Sequence, residues 1–162
     1  MKLKSLLLTV AVMAGPIAFA ASTPSAKVAP PDFQWWRDGR FGLFIHWGPS
    51  SITGKEISWS RRASGIEKYD ALYKEFNPVK FNAVEWVAVA QAAGMKYIVL
   101  TAKHHDGFML WDTKTGDYNI MNSPFKRDVV DELAKAARAA GIPFCVYFSP
   151  AIGRIPTAAT RR

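Results

Sequence analysis

Among its 162 residues the chain has a single cysteine, Cys145, so no disulfide framework holds it together. A glycine-rich phosphate turn is also missing. The one candidate, Asp38 to Gly42 (DGRFG), precedes an apolar run instead of linking a strand to a helix, and the dinucleotide fingerprint fails. No basic stripe with interleaved aromatics runs outside the last residues, which excludes a nucleic-acid partner. Beyond the first twenty residues no hydrophobic run is long enough to span a membrane. What is present is the composition of a globular chain: 49% hydrophobic, 21% charged and 13% aromatic residues.

Residues 1–20 carry the parts of an export signal in order: Lys2 and Lys4, the apolar run Leu6 to Ala14, then Ala18-Phe19-Ala20 before the cleavage point. Residues 21–31 are small and contain proline, as a linker does. The expected destination is periplasmic or secreted. Removing the signal leaves 19 basic residues against 13 acidic, a net charge of +6. Arg154, Arg161 and Arg162 carry half of that excess in the final stretch, so the basic balance says little about partners.

The body alternates between apolar runs and helical periods. Phe41 to His46 reads as a buried strand, and Pro49 to Gly65, rich in Ser, Gly and Arg, as a long loop. Loops of that length in compact domains are commonly functional. Tyr69 to Phe76 suits a short helix closed by Asn77-Pro78. Asn82 has the position of an N-cap with Glu85 three residues on, and Val84, Val87, Ala88 and Ala92 follow at helical spacing until Gly94. Tyr97 to Ala102 is a second buried strand. Asp128 caps a helix through Val129, Leu133 and Ala137 to Gly141, and Phe144 to Phe148 forms a third strand. Buried strands joined through helices predict parallel pairing in an α/β protein, either an open doubly wound sheet or a (β/α)8 barrel of TIM type. Without a phosphate turn, the barrel is preferred.

All three histidines fall at strand C-termini: His46 ends the first strand, and His104 and His105 follow the second. In parallel α/β folds that edge carries the active site. Tyr147 lies near the end of the third strand. A single buried histidine is ordinarily a hydrogen-bonded core residue, but three at one edge favour function. Zinc is disfavoured because adjacent residues on extended chain point to opposite sides, which separates His104 from His105. Neutral imidazoles exchanging hydrogen bonds with hydroxyl groups suit a polyol pocket, and aromatics supply flat faces for a sugar ring. Trp59, in the polar loop, suits either a ligand-facing or a packing role, and so does Trp111. Trp35, Trp36 and Trp86 read as core packing. Asp106 reads as a support for a histidine or a loop cap, and Cys145 as an inert core thiol.

Four segments in this order and spacing carry a resemblance: Phe41 to Gly48 (FGLFIHWG), Ala102 to Phe108 (AKHHDGF) with Leu110-Trp111, Lys126 to Leu133 (KRDVVDEL), and Val146 to Ser149 (VYFS). They closely resemble the amino-terminal part of the α-L-fucosidases of glycoside hydrolase family 29, from about Phe33 to Pro150. The resemblance implies a (β/α)8 catalytic domain, of which residues 32–150 supply about the first three βα units. It also implies removal of terminal α-L-fucose from fucosylated oligosaccharides or glycoconjugates with retention of configuration and without a cofactor. It places His46, Trp59, His104, His105 and Tyr147 against the fucose. Relatives often carry Glu directly before the loop tryptophan; here Ser58 takes that place and Glu56 lies two residues back. The resemblance further implies that the nucleophilic Asp follows a fourth strand, with the acid/base beyond it, so neither falls in this chain.

The likeness stops at Pro150, and residues 151–162 read either as a divergent loop or as a shifted reading frame. One back-translation of Ala151 to Thr157, read from the last base of the first codon, gives Asp-Trp-Pro-His-Pro-Asp. A complete barrel needs roughly 250 residues, so the isolated chain is expected to have open sheet edges, fold poorly and lack hydrolysis. A non-catalytic fucose-binding module and, behind it, a histidine-metal hydrolase remain as alternatives. Export through residues 1–20 predicts a mature chain beginning at Ala21, read as the intact mass and terminal peptide of protein recovered outside the cytoplasm.

Overall fold

The computed structural model describes residues 32–150. The expected signal, linker and tail lie outside the described residues. Helix α1 (Gln34–Gly39) leads to strand β1 (Leu43–Ile45), followed by a 3-10 turn (Pro49–Thr53), α2 (Ser60–Ser64), α3 (Ile66–Ala71) and a second 3-10 turn (Leu72–Lys74). Helix α4 (Ala83–Ala92), strand β2 (Ile98–Lys103), a third 3-10 turn (Ile120–Asn122), helix α5 (Val129–Ala139) and strand β3 (Phe144–Phe148) complete the order. The three strands form one parallel sheet in the order β1-β2-β3. The expected α/β organisation is therefore observed as a three-stranded parallel sheet with helices.

Register follows the alternation of side chains along each strand. Leu43 and Ile45 sit opposite Ile98 and Leu100, and Ile98 sits opposite Phe144. All five face the helices, where Ile98 and Leu100 meet Val87, Ala90, Val129, Leu133 and Ala137 in one buried cluster. The cluster extends over Phe76, Phe81, Phe108, Leu110, Tyr118, Ile120 and Phe125, packed by the segment between β2 and α5. Each fully buried Leu or Ile stabilises the fold by roughly 1.5–3 kcal/mol relative to exposure.

The helix starts follow their caps. Asn82 Oδ1 accepts from the amides of Val84 at 3.1 Å and Glu85 at 3.3 Å, satisfying donors that the first turn of α4 leaves open. Asp128 does more, since Oδ1 accepts from the Asp131 amide at 2.8 Å and Oδ2 from the Asp112 amide at 2.9 Å. One carboxylate thus starts α5 and pins the loop that leaves β2. Beyond α4, Gly94 adopts a φ of +76°, which lets the chain turn back toward β2. At Gly42 the requirement is space, because a Cβ there would overlap the Tyr97 ring.

Several expectations are corrected. Of the three strands expected to be buried, only β2 is; β1 and β3 lie at the sheet edges and leave Phe44, Val146 and Phe148 about half exposed. Cys145 on β3 is accordingly only partly buried. Trp35 and Trp36 are exposed, because α1 is a six-residue helix with no buried residue and only Trp35 meets a neighbouring ring, Tyr97. Residues 49–65 contain a 3-10 turn and α2, short elements held by polar contacts that leave no apolar period to read. The helix expected from Tyr69 begins three residues earlier, just after Gly65. Trp86 does pack in the structural role expected of it, against Trp47 and Phe81.

Leu100 is fully buried and Val84 is 69% exposed. Leu100→Ala is expected to cost about 2–5 kcal/mol, whereas Val84→Ala should stay within about 0.5 kcal/mol; urea unfolding of the two variants measures the difference.

Candidate active site

Parallel pairing delivers the C-terminal ends of all three strands to one edge. His46 follows β1, His104 and His105 follow β2, and Tyr147 is the penultimate residue of β3. The rings of His46, His104 and Tyr147 form a triangle with centroid separations of 5.6 Å (His46 to His104), 5.6 Å (His104 to Tyr147) and 6.4 Å (His46 to Tyr147). His105 lies 4.6 Å from His104, ring to ring, and Trp59 meets His105 edge-on at 5.4 Å. The structure therefore brings together all five residues singled out in the sequence.

A cleft of about 390 Å³ opens at this edge, with His46, His104, Trp59, Glu56, Lys55 and Trp47 among its walls. Trp59 is 66% exposed beside it, so its indole offers an open face. Glu56 brings a carboxylate to the wall from a position two residues before Ser58. The loop that carries these groups is fixed by an ion pair: Arg61 Nε and Nη2 each donate at 2.7 Å to the two carboxylate oxygens of Asp70. Both side chains are largely buried, and the pair links α2 to α3.

The histidines are held from behind. His104 Nδ1 lies 2.6 Å from Ser58 Oγ, and His105 Nδ1 lies 2.6 Å from Ser149 Oγ. Burial pushes the pKa of His104 below the usual histidine range, and the neighbouring His105 adds to that effect while Asp106 opposes it. Burial thus favours the neutral ring. Asp106 is 2% exposed; Oδ2 accepts from the Tyr69 hydroxyl at 2.7 Å and Oδ1 from the Phe108 amide at 3.2 Å. It fulfils the loop cap with its carboxylate and supports a histidine at one remove through its amide, which donates at 2.9 Å to the Ser58 hydroxyl beside His104. Burial raises the pKa of Asp106 against the pull of the donors to its carboxylate. Burial and the adjacent Asp106 likewise raise the pKa of the Tyr69 hydroxyl.

The supporting roles of three residues escape sequence reasoning. Ser58 shows only as a departure from the loop pattern of the resemblance, Tyr69 only as the start of a helix, and Lys103 only as part of the segment that carries the paired histidines. The Lys103 ammonium donates to the Ser149 carbonyl at 2.6 Å and lies over the Phe148 ring, tying the ends of β2 and β3 together. Burial lowers its pKa. Trp111 packs against Phe148 at 6.2 Å and is not among the residues that line the cleft. Among the described residues no cluster of three or more His, Cys, Asp or Glu side chains is arranged to hold a metal ion.

Fold and cleft together define a parallel α/β protein whose strand ends carry an imidazole- and indole-lined pocket. The chain belongs to the α-L-fucosidase family, whose sequence model matches residues 8–156. It is 39% identical over 118 residues to alpha-L-fucosidase 1 of Arabidopsis thaliana, covering 71% of this chain and 22% of that protein. It is 37% identical over 134 residues to human plasma alpha-L-fucosidase, covering 71% of this chain and 29% of that protein. Among solved structures, alpha-L-fucosidase isoenzyme 1 from Paenibacillus thiaminolyticus superposes with a TM-score of 0.72 at 41% identity, covering 76% of this chain and 30% of that one. A Bacteroides thetaiotaomicron GH29 alpha-L-fucosidase, trapped as a covalent intermediate, superposes with the same TM-score at 36% identity, covering 83% and 33%. The chain thus spans about a fifth to a third of the length of these relatives.

The lowered pKa of His104 sets a sign for acid sensitivity. Below about pH 6.5 the unfolded chain takes up a proton that the folded ring refuses, so stability falls as pH drops toward the folded value. Asp106, whose folded pKa is raised, contributes in the opposite sense: stability rises as pH falls through that raised value. Urea unfolding across this range should show the acid loss in the parent chain, and His104→Gln should remove it while leaving the contribution of Asp106.

Proposed function

We propose that this chain forms the fucose-binding wall of an α-L-fucosidase, with its sheet as the first three βα units of a (β/α)8 barrel. One observation carries the reading: His46, His104 and Tyr147 converge within 6.4 Å at the strand ends, beside Trp59 and His105, in a chain of this family. Neutral imidazoles and a phenol exchange hydrogen bonds with sugar hydroxyls in either direction, while the open indole of Trp59 covers an apolar face of the ring. Glu56 adds an acceptor from the loop. The ligand is the terminal α-L-fucose of a fucosylated oligosaccharide or glycoconjugate, and binding needs no cofactor.

Hydrolysis with retention needs two carboxyl groups about 5–5.5 Å apart, one as nucleophile and one as acid/base. We assign neither role within these 162 residues. Asp106, the carboxylate adjacent in sequence to the paired histidines, is buried and committed to Tyr69 and the Phe108 amide. The reading therefore gives this chain the binding wall and leaves the catalytic pair unassigned. Export through residues 1–20 places it in the periplasm or outside the cell, where glycoconjugate substrates are met.

The purified 162-residue chain is expected to release no aryl alcohol from an aryl α-L-fucoside. Turnover that survives removal of contaminating enzyme overturns the assignment of the catalytic pair. A thermal transition raised by L-fucose in the parent chain, and no longer raised in His46→Ala, supports the binding wall; insensitivity of the parent to L-fucose counts against it.

A further inference from the structure

Ser58 occupies a backbone conformation that serine rarely adopts, with φ of +63°. It is held there by a closed ring of hydrogen bonds. The Ser58 amide donates to the Tyr69 hydroxyl oxygen at 2.8 Å, that hydroxyl donates to Asp106 Oδ2 at 2.7 Å, and the Asp106 amide donates to Ser58 Oγ at 2.9 Å. Tyr69 is 1% exposed and Asp106 2%. The ring accounts for its protons. The phenol spends its only proton on Asp106 and receives the Ser58 amide; Ser58 Oγ receives the Asp106 amide and keeps its own proton. Ser58 Oγ lies 2.6 Å from His104 Nδ1 and can spend that proton there. With Nδ1 accepting it, the ring proton sits on Nε2, which no hydrogen bond engages among the described residues.

We propose that Ser58 is a positioning residue that locks His104 as the Nε2–H tautomer, so that the ring presents a donor to the cleft and selects a sugar oxygen offering a lone pair. The inference rests on the fucose-pocket reading for the identity of the ligand, but not for the state of the ring. His104 lines the cleft, so its free edge is available to a ligand. Burial and the neighbouring His105, which lower the pKa of the ring, favour the neutral form that leaves one nitrogen free to accept.

The test is nitrogen-15 NMR of the full chain labelled on histidine, with the His104 signals assigned by their loss in H104Q. The parent is expected to show an unprotonated Nδ1 and a protonated Nε2. Ser58→Gly suits a positive φ, which offsets part of the cost of stranding the Asp106 amide, so its unfolding midpoint should fall less than that of Ser58→Ala, while His104 passes to a mixture of tautomers and L-fucose binding weakens roughly three- to tenfold. Ser58→Ala is the second variant, with the same spectral change expected. A parent proton on Nδ1, or a tautomer unaffected by both substitutions, overturns the proposal. So does a parent chain whose three histidines behave as free imidazoles, since Ser58 then holds nothing. A locked tautomer in a chain indifferent to L-fucose upholds the positioning role and removes the fucose reading instead.

Discussion

Parallel hydrogen bonding between strands is the constraint on which the remaining architecture depends. A parallel pair cannot be closed by a tight turn, so the chain must cross over between strands, and α4 and α5 are those crossings. Their apolar faces supply Val87, Ala90, Val129, Leu133 and Ala137 to the helix-side face of the sheet. The same pairing sends every strand in one direction, which collects His46, His104 and Tyr147 at one edge although more than fifty residues separate the first from the second. Core and cleft are two results of one geometric rule.

The cleft also needs a loop that reaches back over the strand ends and stays there. Residues 49–76 do this by joining the core at Tyr69, Leu72 and Phe76 and by polar ties. Arg61 and Asp70 form a bidentate, largely buried pair, and the Tyr69 hydroxyl bridges the loop to the residue that follows the paired histidines. A buried ion pair of this kind adds little net stability compared with well-packed apolar side chains, yet it fixes position. Trp59 can remain exposed and still sit 5.4 Å from His105 because its neighbours on both sides are anchored.

What was legible in the sequence follows from the range of the interactions. Caps are local: Asn82 and Asp128 announce their helices from side chains that bond two or three residues ahead. Strand β2 is legible because both of its faces are covered over most of its length, giving an unbroken apolar run. Edge position is not local, so the half-exposure of Phe44, Val146 and Phe148 had no signature in their own segments. The histidines were legible as a group because they cluster at strand ends. Ser58 was visible only as a departure from what relatives carry, and its bonding depends on residues eleven and forty-eight positions away. Trp35 and Trp36 misled for a related reason: tryptophan is usually buried, but a six-residue helix at the beginning of the described chain has only Tyr97 to offer it.

Phe44 occupies the face of the sheet opposite the helices, 4.5 Å from the His46 ring and 6.1 Å from that of Tyr147, and is 52% exposed. Its ring borders the histidine triangle with a non-polar surface that water now wets. Polar contacts made at this edge consequently lie in a half-hydrated surface, where each hydrogen bond competes with solvent. Covering Phe44 with further apolar surface would strengthen the polar contacts beside it without moving a donor or an acceptor. The strength of the hydrogen bonds at this edge therefore depends on the permittivity around Phe44 as well as on the side chains that make them.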